Sequence, residues 1–156
     1  MDKKFNLKLN LDSVGSVISY ASSVGERIKG GEVIRLIGDL GAGKTTFVRG
    51  LVQGAGSSDH VSSPSFTIRN DYQSKDLTIA HFDFYRLSDL GIIRDMLAEA
   101  AVDPKTTVII EWPEVVDDIL PPEQVRIELK VTSESSRDIN IEYPPRFAYL
   151  FAGGQA

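Results

Sequence analysis

The 156-residue chain has no cysteine. That absence excludes disulfides, a thiol nucleophile, thiolate-held iron–sulfur clusters and cysteine-based zinc sites, and it suits a reducing compartment. Long apolar runs are missing as well, since nothing approaches the ~20 consecutive apolar residues that a helix needs to cross a bilayer. The N-terminal segment MDKKFNLKLN alternates apolar and polar residues, where a secretory leader carries a continuous apolar stretch. Positive charge is in short supply. Seventeen Lys and Arg stand against 22 Asp and Glu, a net charge of −5, the wrong sign for tight unaided binding along a nucleic-acid backbone. These absences lead us to expect a soluble cytoplasmic protein with no membrane association. What is present suits one globular domain, 1–156: 42% hydrophobic and 25% charged residues, in a chain long enough to bury about 68–70% of its unfolded surface.

Periodicity supplies the elements. Phe5, Leu7, Leu9 and Leu11 alternate with polar residues as in a half-buried strand, and Val14, Val17, Ile18, Ala21, Val24 and Ile28 recur at helical spacing up to Lys29. Asp12 or Ser13 offers the cap of that helix, and Gly30 with Gly31 its stop. Residues 33–37 read as a strand entering a glycine-rich loop, and 45–53 as the helix leaving it. A polar loop over 54–64 follows. Residues 66–72 and 77–84 read as a hairpin across the turn 73–76, residues 92–101 as a helix, and 107–111 as a fully buried strand. Residues 115–120 read as a turn or short helix stopped by Pro121 and Pro122. Residues 124–131 and 137–143 alternate around a Ser-rich turn and close the chain as another hairpin. The expected fold class is therefore α/β, a mixed, mostly parallel sheet flanked by helices, with antiparallel hairpins.

Gly38, Asp39, Leu40, Gly41, Ala42, Gly43, Lys44 and Thr45 match GxxxxGK[ST], the phosphate-binding loop, in the required context of strand before and helix after. Glycines are needed because successive backbone N–H groups must curl around a phosphate at dihedrals that a side chain disfavours. The helix N-terminus behind them adds a favourable dipole. In this chemistry Lys44 reaches the β and γ phosphates, the Thr45 hydroxyl ligates Mg²⁺, and Thr46 assists at the next phosphate. A second acid must hold the metal or orient water, and two candidates end strands: Asp83 after LTIAHF and Glu111 after TTVII. Alone, Asp83 also reads as a surface carboxylate or as a helix cap for the segment after Arg86, and Glu111 as a salt-bridged strand end. His81 and Tyr85 read as packed or hydrogen-bonded. Arg86, beside Asp83 and Asp89, reads as a structural ion pair in preference to an arginine that stabilises transferred charge.

The words GDLGAGKTTFVRG, SSPSFTIRNDY, HFDFYRL and IIEWPE, in this order, resemble the TsaE family, formerly called YjeE, of bacterial P-loop ATPases of tRNA threonylcarbamoyladenosine synthesis. The resemblance runs from about Leu9 to Arg137. It implies that Asp39 to Thr46 bind ATP phosphates, with Thr45 and Glu111 serving Mg²⁺ and Asp83 positioning the attacking water directly or through the metal shell. Residues Ser63, Pro64, Ser65, Phe66 and Thr67 resemble the family's γ-phosphate-responsive segment, commonly SPTFT or SPTYT, with Ser65 in place of Thr. Ser65 keeps the hydroxyl and loses a methyl. Arg137 falls near a basic position that family members place by the nucleotide, and it reads equally as a solvated arginine. The chain departs from the family after YRL, where Ser88 to Arg94 replace an acidic stretch with Pro and Glu. The run Arg146 to Phe151 reads as a tail packed on its own sheet, and Trp112 as core or as a wall of the nucleotide site.

The expectation is a Mg²⁺-dependent ATPase that serves a transferase complex of TsaD and TsaB homologues, meeting tRNA only through that complex. Hydrolysis is expected to be slow alone, because the sequence offers no evident arginine finger. The rivals are a small-molecule kinase, for which no Arg-rich lid is visible, and a non-hydrolytic nucleotide switch acting through residues 63–67. Adenine is favoured over guanine because no NKxD-like segment is present.

Overall fold

The computed structural model describes residues 3–64, 67–85 and 91–151. Strand β1 (Phe5–Leu11) leads to helix α1 (Val14–Gly25), strand β2 (Val33–Ile37), helix α2 (Lys44–Gly54) and the hairpin β3 (Arg69–Ser74) and β4 (Leu77–Asp83). Helix α3 (Ile92–Val102), strand β5 (Thr106–Glu111), a 3-10 helix (Pro113–Ile119), strands β6 (Val125–Val131) and β7 (Arg137–Tyr143) and a last 3-10 helix (Pro145–Leu150) complete the order.

The seven strands form one sheet in the order β1-β7-β6-β2-β5-β4-β3. The middle four, β6, β2, β5 and β4, are parallel. Antiparallel pairs finish both sides: β3 on β4, β7 on β6, and the first strand β1 on the last, β7. The two hairpins were expected, whereas the pairing of first strand with last is not written in any local pattern. Burial explains the strand compositions. Helices α1 and α2 and the last 3-10 helix cover one face along the sheet, and α3 with the first 3-10 helix covers β2, β5 and β4 on the other. Strand β5 is therefore buried at all six positions and reads as a continuous apolar run, while β6 and β7 alternate because one face is left polar.

The end of α1 and the start of β3 differ from the sequence expectation. Ser13 caps α1 through a reciprocal pair with Ser16, its Oγ accepting from the Ser16 N–H at 3.0 Å and its own N–H donating to Ser16 Oγ at 3.1 Å. The helix nevertheless stops at Gly25, short of Lys29, because Arg27 and Ile28 bond three residues back, to Val24 and Gly25, in a tightened last turn. Gly30 and Gly31, both at positive φ, form a separate turn that crosses Pro104 so closely that a Cβ on Gly30 would lie 2.2 Å from its carbonyl oxygen. Strand β3 begins only at Arg69, since the N–H groups of Thr67 and Ile68 both bond to the Pro64 carbonyl and Ile68 takes φ 70°. The tail does pack on its own sheet, burying Phe147, Leu150 and Phe151.

Candidate functional site

The parallel strands deliver their C-terminal ends to one place. Strand β2 runs into residues 38–43, and α2 starts at Lys44 with Gly43 as its cap at φ 101°. Gly38 is pressed against β6, where a Cβ would sit 2.9 Å from the Leu129 carbonyl oxygen. In register, Asp83 pairs with Glu111 across β4 and β5, and Leu36 with Glu111 across β2 and β5, so both acids stand beside the loop. A cavity of about 330 Å³ is lined by Leu40, Gly41, Gly43, Lys44, Thr45, Thr46, Ser63, Asp83, Tyr85, Glu111, Trp112 and Arg137. Gly38 and Asp39 line a smaller, 140 Å³ cavity, which also touches Lys44 and Trp112. Ala42 is buried, and its N–H turns back to the Asp39 carbonyl at 3.0 Å.

Lys44 is 6% exposed, and its Nζ donates to the Gly38 carbonyl at 2.6 Å. The same ammonium stands 3.8 Å from Glu111 Oε1 and 4.2 Å from the centre of the Trp112 ring. A buried charge is costly unless surrounded by compensating groups, and here a carbonyl, a carboxylate and an indole face supply them. Only the carbonyl lies at hydrogen-bond distance, so the ammonium can exchange it for a better anion at little loss. Trp112 occupies the left-handed region at φ 55°, a conformation that costs about 1–3 kcal/mol, and its ring also packs on Tyr85 with centroids 4.9 Å apart.

The two acids are held differently. Asp83 is 5% exposed, and its Oδ1 accepts from the Tyr85 N–H at 2.9 Å. Glu111 is 4% exposed, and its Oε2 meets Nε2 of the fully buried His81 at 2.6 Å. Sequence reasoning gave His81 no chemical role. The signal that finds it is the sheet register, which sets His81 beside Ile109, two residues before Glu111 on the neighbouring strand and on the same face. Arg137 arrives from the start of β7, with Nε donating to the Ala42 carbonyl at 2.9 Å and Nη1 to the Ser133 and Ser136 carbonyls at 3.1 and 2.9 Å. It is thus tied to the loop while staying half-buried.

Thr67 is exposed, donates to Asn70 Oδ1 at 2.9 Å and does not line the cavity, whereas Ser63 does. Ser65 and Arg86 lie outside the described residues. The hydroxyl of Thr45 and the carboxylates of Asp83 and Glu111 offer only hard oxygen donors. Among the described residues no group of three or more His, Asp or Glu is arranged to hold a metal alone. This donor set suits Mg²⁺, which is commonly held by one or two carboxylates together with substrate phosphates.

The family described as "Threonylcarbamoyl adenosine biosynthesis protein TsaE" matches residues 11–139, a span containing the loop, both acids, His81 and Arg137. The tRNA threonylcarbamoyladenosine biosynthesis protein TsaE of Treponema pallidum is 38% identical over 122 residues, 78% of this chain and 90% of that protein. Its namesake from Bacillus subtilis is 36% identical over 111 residues, 71% of this chain and 69% of that protein. Among solved structures, the crystal structure of Bacillus subtilis YdiB aligns with a TM-score of 0.79 at 27% identity, covering 99% of this chain and 97% of the other.

Proposed function

Since the chain belongs to the TsaE family of threonylcarbamoyl adenosine biosynthesis proteins, we propose that it is a Mg²⁺-dependent ATPase that supports tRNA threonylcarbamoyladenosine modification. The observation that carries this reading is one cavity holding the buried Lys44 ammonium, the Thr45 hydroxyl and the strand-end carboxylates of Asp83 and Glu111. The loop N–H groups and the start of α2 cradle the phosphates. Lys44 would exchange the Gly38 carbonyl for the β and γ phosphates, and Thr45 and Glu111 would hold Mg²⁺, which would supply charge neutralisation at the phosphoryl group. Asp83 would orient the attacking water. Arg137 braces the loop through the Ala42 carbonyl.

Two features favour a partner-dependent enzyme. The guanidinium of Arg137 lines the cavity, but its Nε and Nη1 are engaged with backbone carbonyls, which ties it to the loop. The net charge of −5 also suits a protein that leaves tRNA to its partners. The reading is a complex with homologues of TsaD and TsaB that carry out the transfer, in the cytoplasm. No helix among the described residues is long and apolar enough to cross a membrane.

The test is steady-state phosphate release from ATP and Mg²⁺, for wild type and Lys44→Ala, with and without purified TsaD and TsaB homologues. Removing one preorganised donor costs about 10²–10³ in kcat, so Lys44→Ala should fall by at least that factor while the partners raise the wild-type rate. Nucleotide binding without phosphate release in any condition would replace hydrolysis with a nucleotide switch. Equal rates with and without partners would refute the dependence on them.

A further inference from the structure

His81 is fully buried in a mostly apolar strand, with Asp83 two positions on along the same face and Asn70 opposite in β3. Residues 79–83 are all buried, and its neighbours in β4 are Ala80 and Phe82 on one face and Ile79 on its own. An imidazole without any exposure at such a position loses its hydration, so its hydrogen bonds must justify its presence. It has one polar contact among the described residues, 2.6 Å from Nε2 to Glu111 Oε2, while Nδ1 finds none. A carboxylate only accepts, so Nε2 carries the hydrogen and donates it. Glu111 therefore has its two oxygens in different situations. Oε2 is tied back to the sheet, and Oε1 faces the Lys44 ammonium at 3.8 Å, longer than a hydrogen bond.

We propose that His81 is a positioning residue that fixes the Glu111 carboxylate so that Oε1 is presented to Lys44 and to the Mg²⁺ of the ATPase reading, on which this inference rests. A carboxylate at a strand end turns about three side-chain bonds, and turning it away from the loop would remove the hard donor the metal needs. The bond from a buried ring on the adjacent strand stops that rotation. The ring is itself fenced by Tyr72, whose ring centre is 6.4 Å away and whose hydroxyl donates to the Ser62 carbonyl at 3.0 Å. Outer partners of this kind typically change metal affinity by about 10–100-fold when removed.

The experiment compares ATP binding by calorimetry in Mg²⁺ and in EDTA for wild type, His81→Leu, His81→Gln, Glu111→Gln and the His81→Leu/Glu111→Gln double variant. The readout is the factor by which Mg²⁺ tightens binding. His81→Leu should lose about tenfold of that factor while binding in EDTA stays within about twofold. His81→Gln, whose amide can donate to Oε2, should recover most of the loss, and the double variant should be no worse than Glu111→Gln. If His81→Leu does not fold, His81→Asn takes its place, because its shorter amide stays polar but falls short of Oε2.

Full Mg²⁺ tightening in His81→Leu, no recovery in a folded His81→Gln, or additive losses in the double variant would overturn the proposal. A wild type that binds Mg²⁺ and ATP together but releases no phosphate would refute hydrolysis alone, since the His81 comparison reads binding. A wild type that binds no nucleotide would overturn both.

Discussion

Glu32 sets the sharpest test of what holds the far end of the sheet. Its carboxylate is fully buried at the start of β2, opposite the loop end. Oε2 accepts from the Lys29 N–H at 2.7 Å and from the Tyr149 hydroxyl, and Oε1 accepts from the Gly30 N–H at 2.9 Å and the Thr107 hydroxyl at 2.7 Å. One side chain thus joins the turn after α1, the start of β5 and the last 3-10 helix. In Glu32→Gln one oxygen becomes an NH₂ group, which cannot accept. Whichever side it takes, it faces one hydroxyl that can rotate to accept from it and one backbone N–H that cannot.

A buried donor left without an acceptor costs about 1–3 kcal/mol, and the remaining bonds lose the added strength of a charged acceptor. The expected loss is about 2–4 kcal/mol, out of the ~5–15 kcal/mol of an ordinary domain. At about 2–4 °C per kcal/mol for a chain of this size, Tm should drop by roughly 4–16 °C. Urea unfolding at pH 7 measures the loss directly. Tyr149→Phe is the graded control, removing one bond of the four for about 1 kcal/mol. A Glu32→Gln midpoint within about 0.5 kcal/mol of wild type would refute the claim that both N–H groups depend on the carboxylate.

Two further outcomes follow from packing and titration. An added Cβ on Gly54 would lie 2.0 Å from the Ser22 carbonyl oxygen, so Gly54→Ala must push α2 from α1 and should cost about 1–3 kcal/mol in urea unfolding; unchanged stability would refute the tight crossing. The Tyr20 hydroxyl is buried without a partner among the described residues, and burial pushes its pKa up to about 12, with Tyr143 adding to the rise and Arg27 opposing it. Below pH 10 the group is neutral folded and unfolded. Above it the unfolded chain ionises first, so stability is lost as pH rises from 10 towards 12. Tyr20→Phe should flatten that alkaline decline and, by removing an unpaired buried hydroxyl, leave stability at pH 7 equal or up to about 1 kcal/mol higher. A decline as steep as wild type in urea midpoints across pH 7–11.5 would refute it.

Local pattern carried most of the fold because the burial of each strand is written in its own period. β1, β6 and β7 alternate since one face stays polar, and β5 does not since both faces are covered. The loop was legible because backbone curvature demands glycine at fixed spacing, and Asp83 and Glu111 because they terminate strands. What escaped depends on register or on contacts between distant segments. Nothing near Phe5 announces Tyr143 as its partner, and nothing near Glu32 announces Tyr149. The bond between His81 and Glu111 spans 30 residues and exists only once β4 and β5 are aligned. The late start of β3 turns on Ile68 at φ 70°, a conformation that a β-branched residue rarely takes and that sequence therefore argues against.

The site is assembled from two kinds of support. Lys44, Asp83, Glu111 and His81 sit on α2, β4 and β5, where every one of them is at least nine-tenths buried, so their mutual geometry is set by the core. Ser63 reaches the same cavity from the loop over 54–64, which is anchored by the buried Val61 and by hydrogen bonds to the sheet. Asn70 Nδ2 and the Tyr72 hydroxyl both donate to the Ser62 carbonyl, at 3.2 and 3.0 Å. These donors belong to β3, the edge strand paired with the strand that carries His81 and Asp83. Tyr72 also fences the ring that holds Glu111, with ring centres 6.4 Å apart. The loop that brings Ser63 to the cavity and the ring that holds Glu111 therefore share one neighbour, Tyr72 of the edge strand.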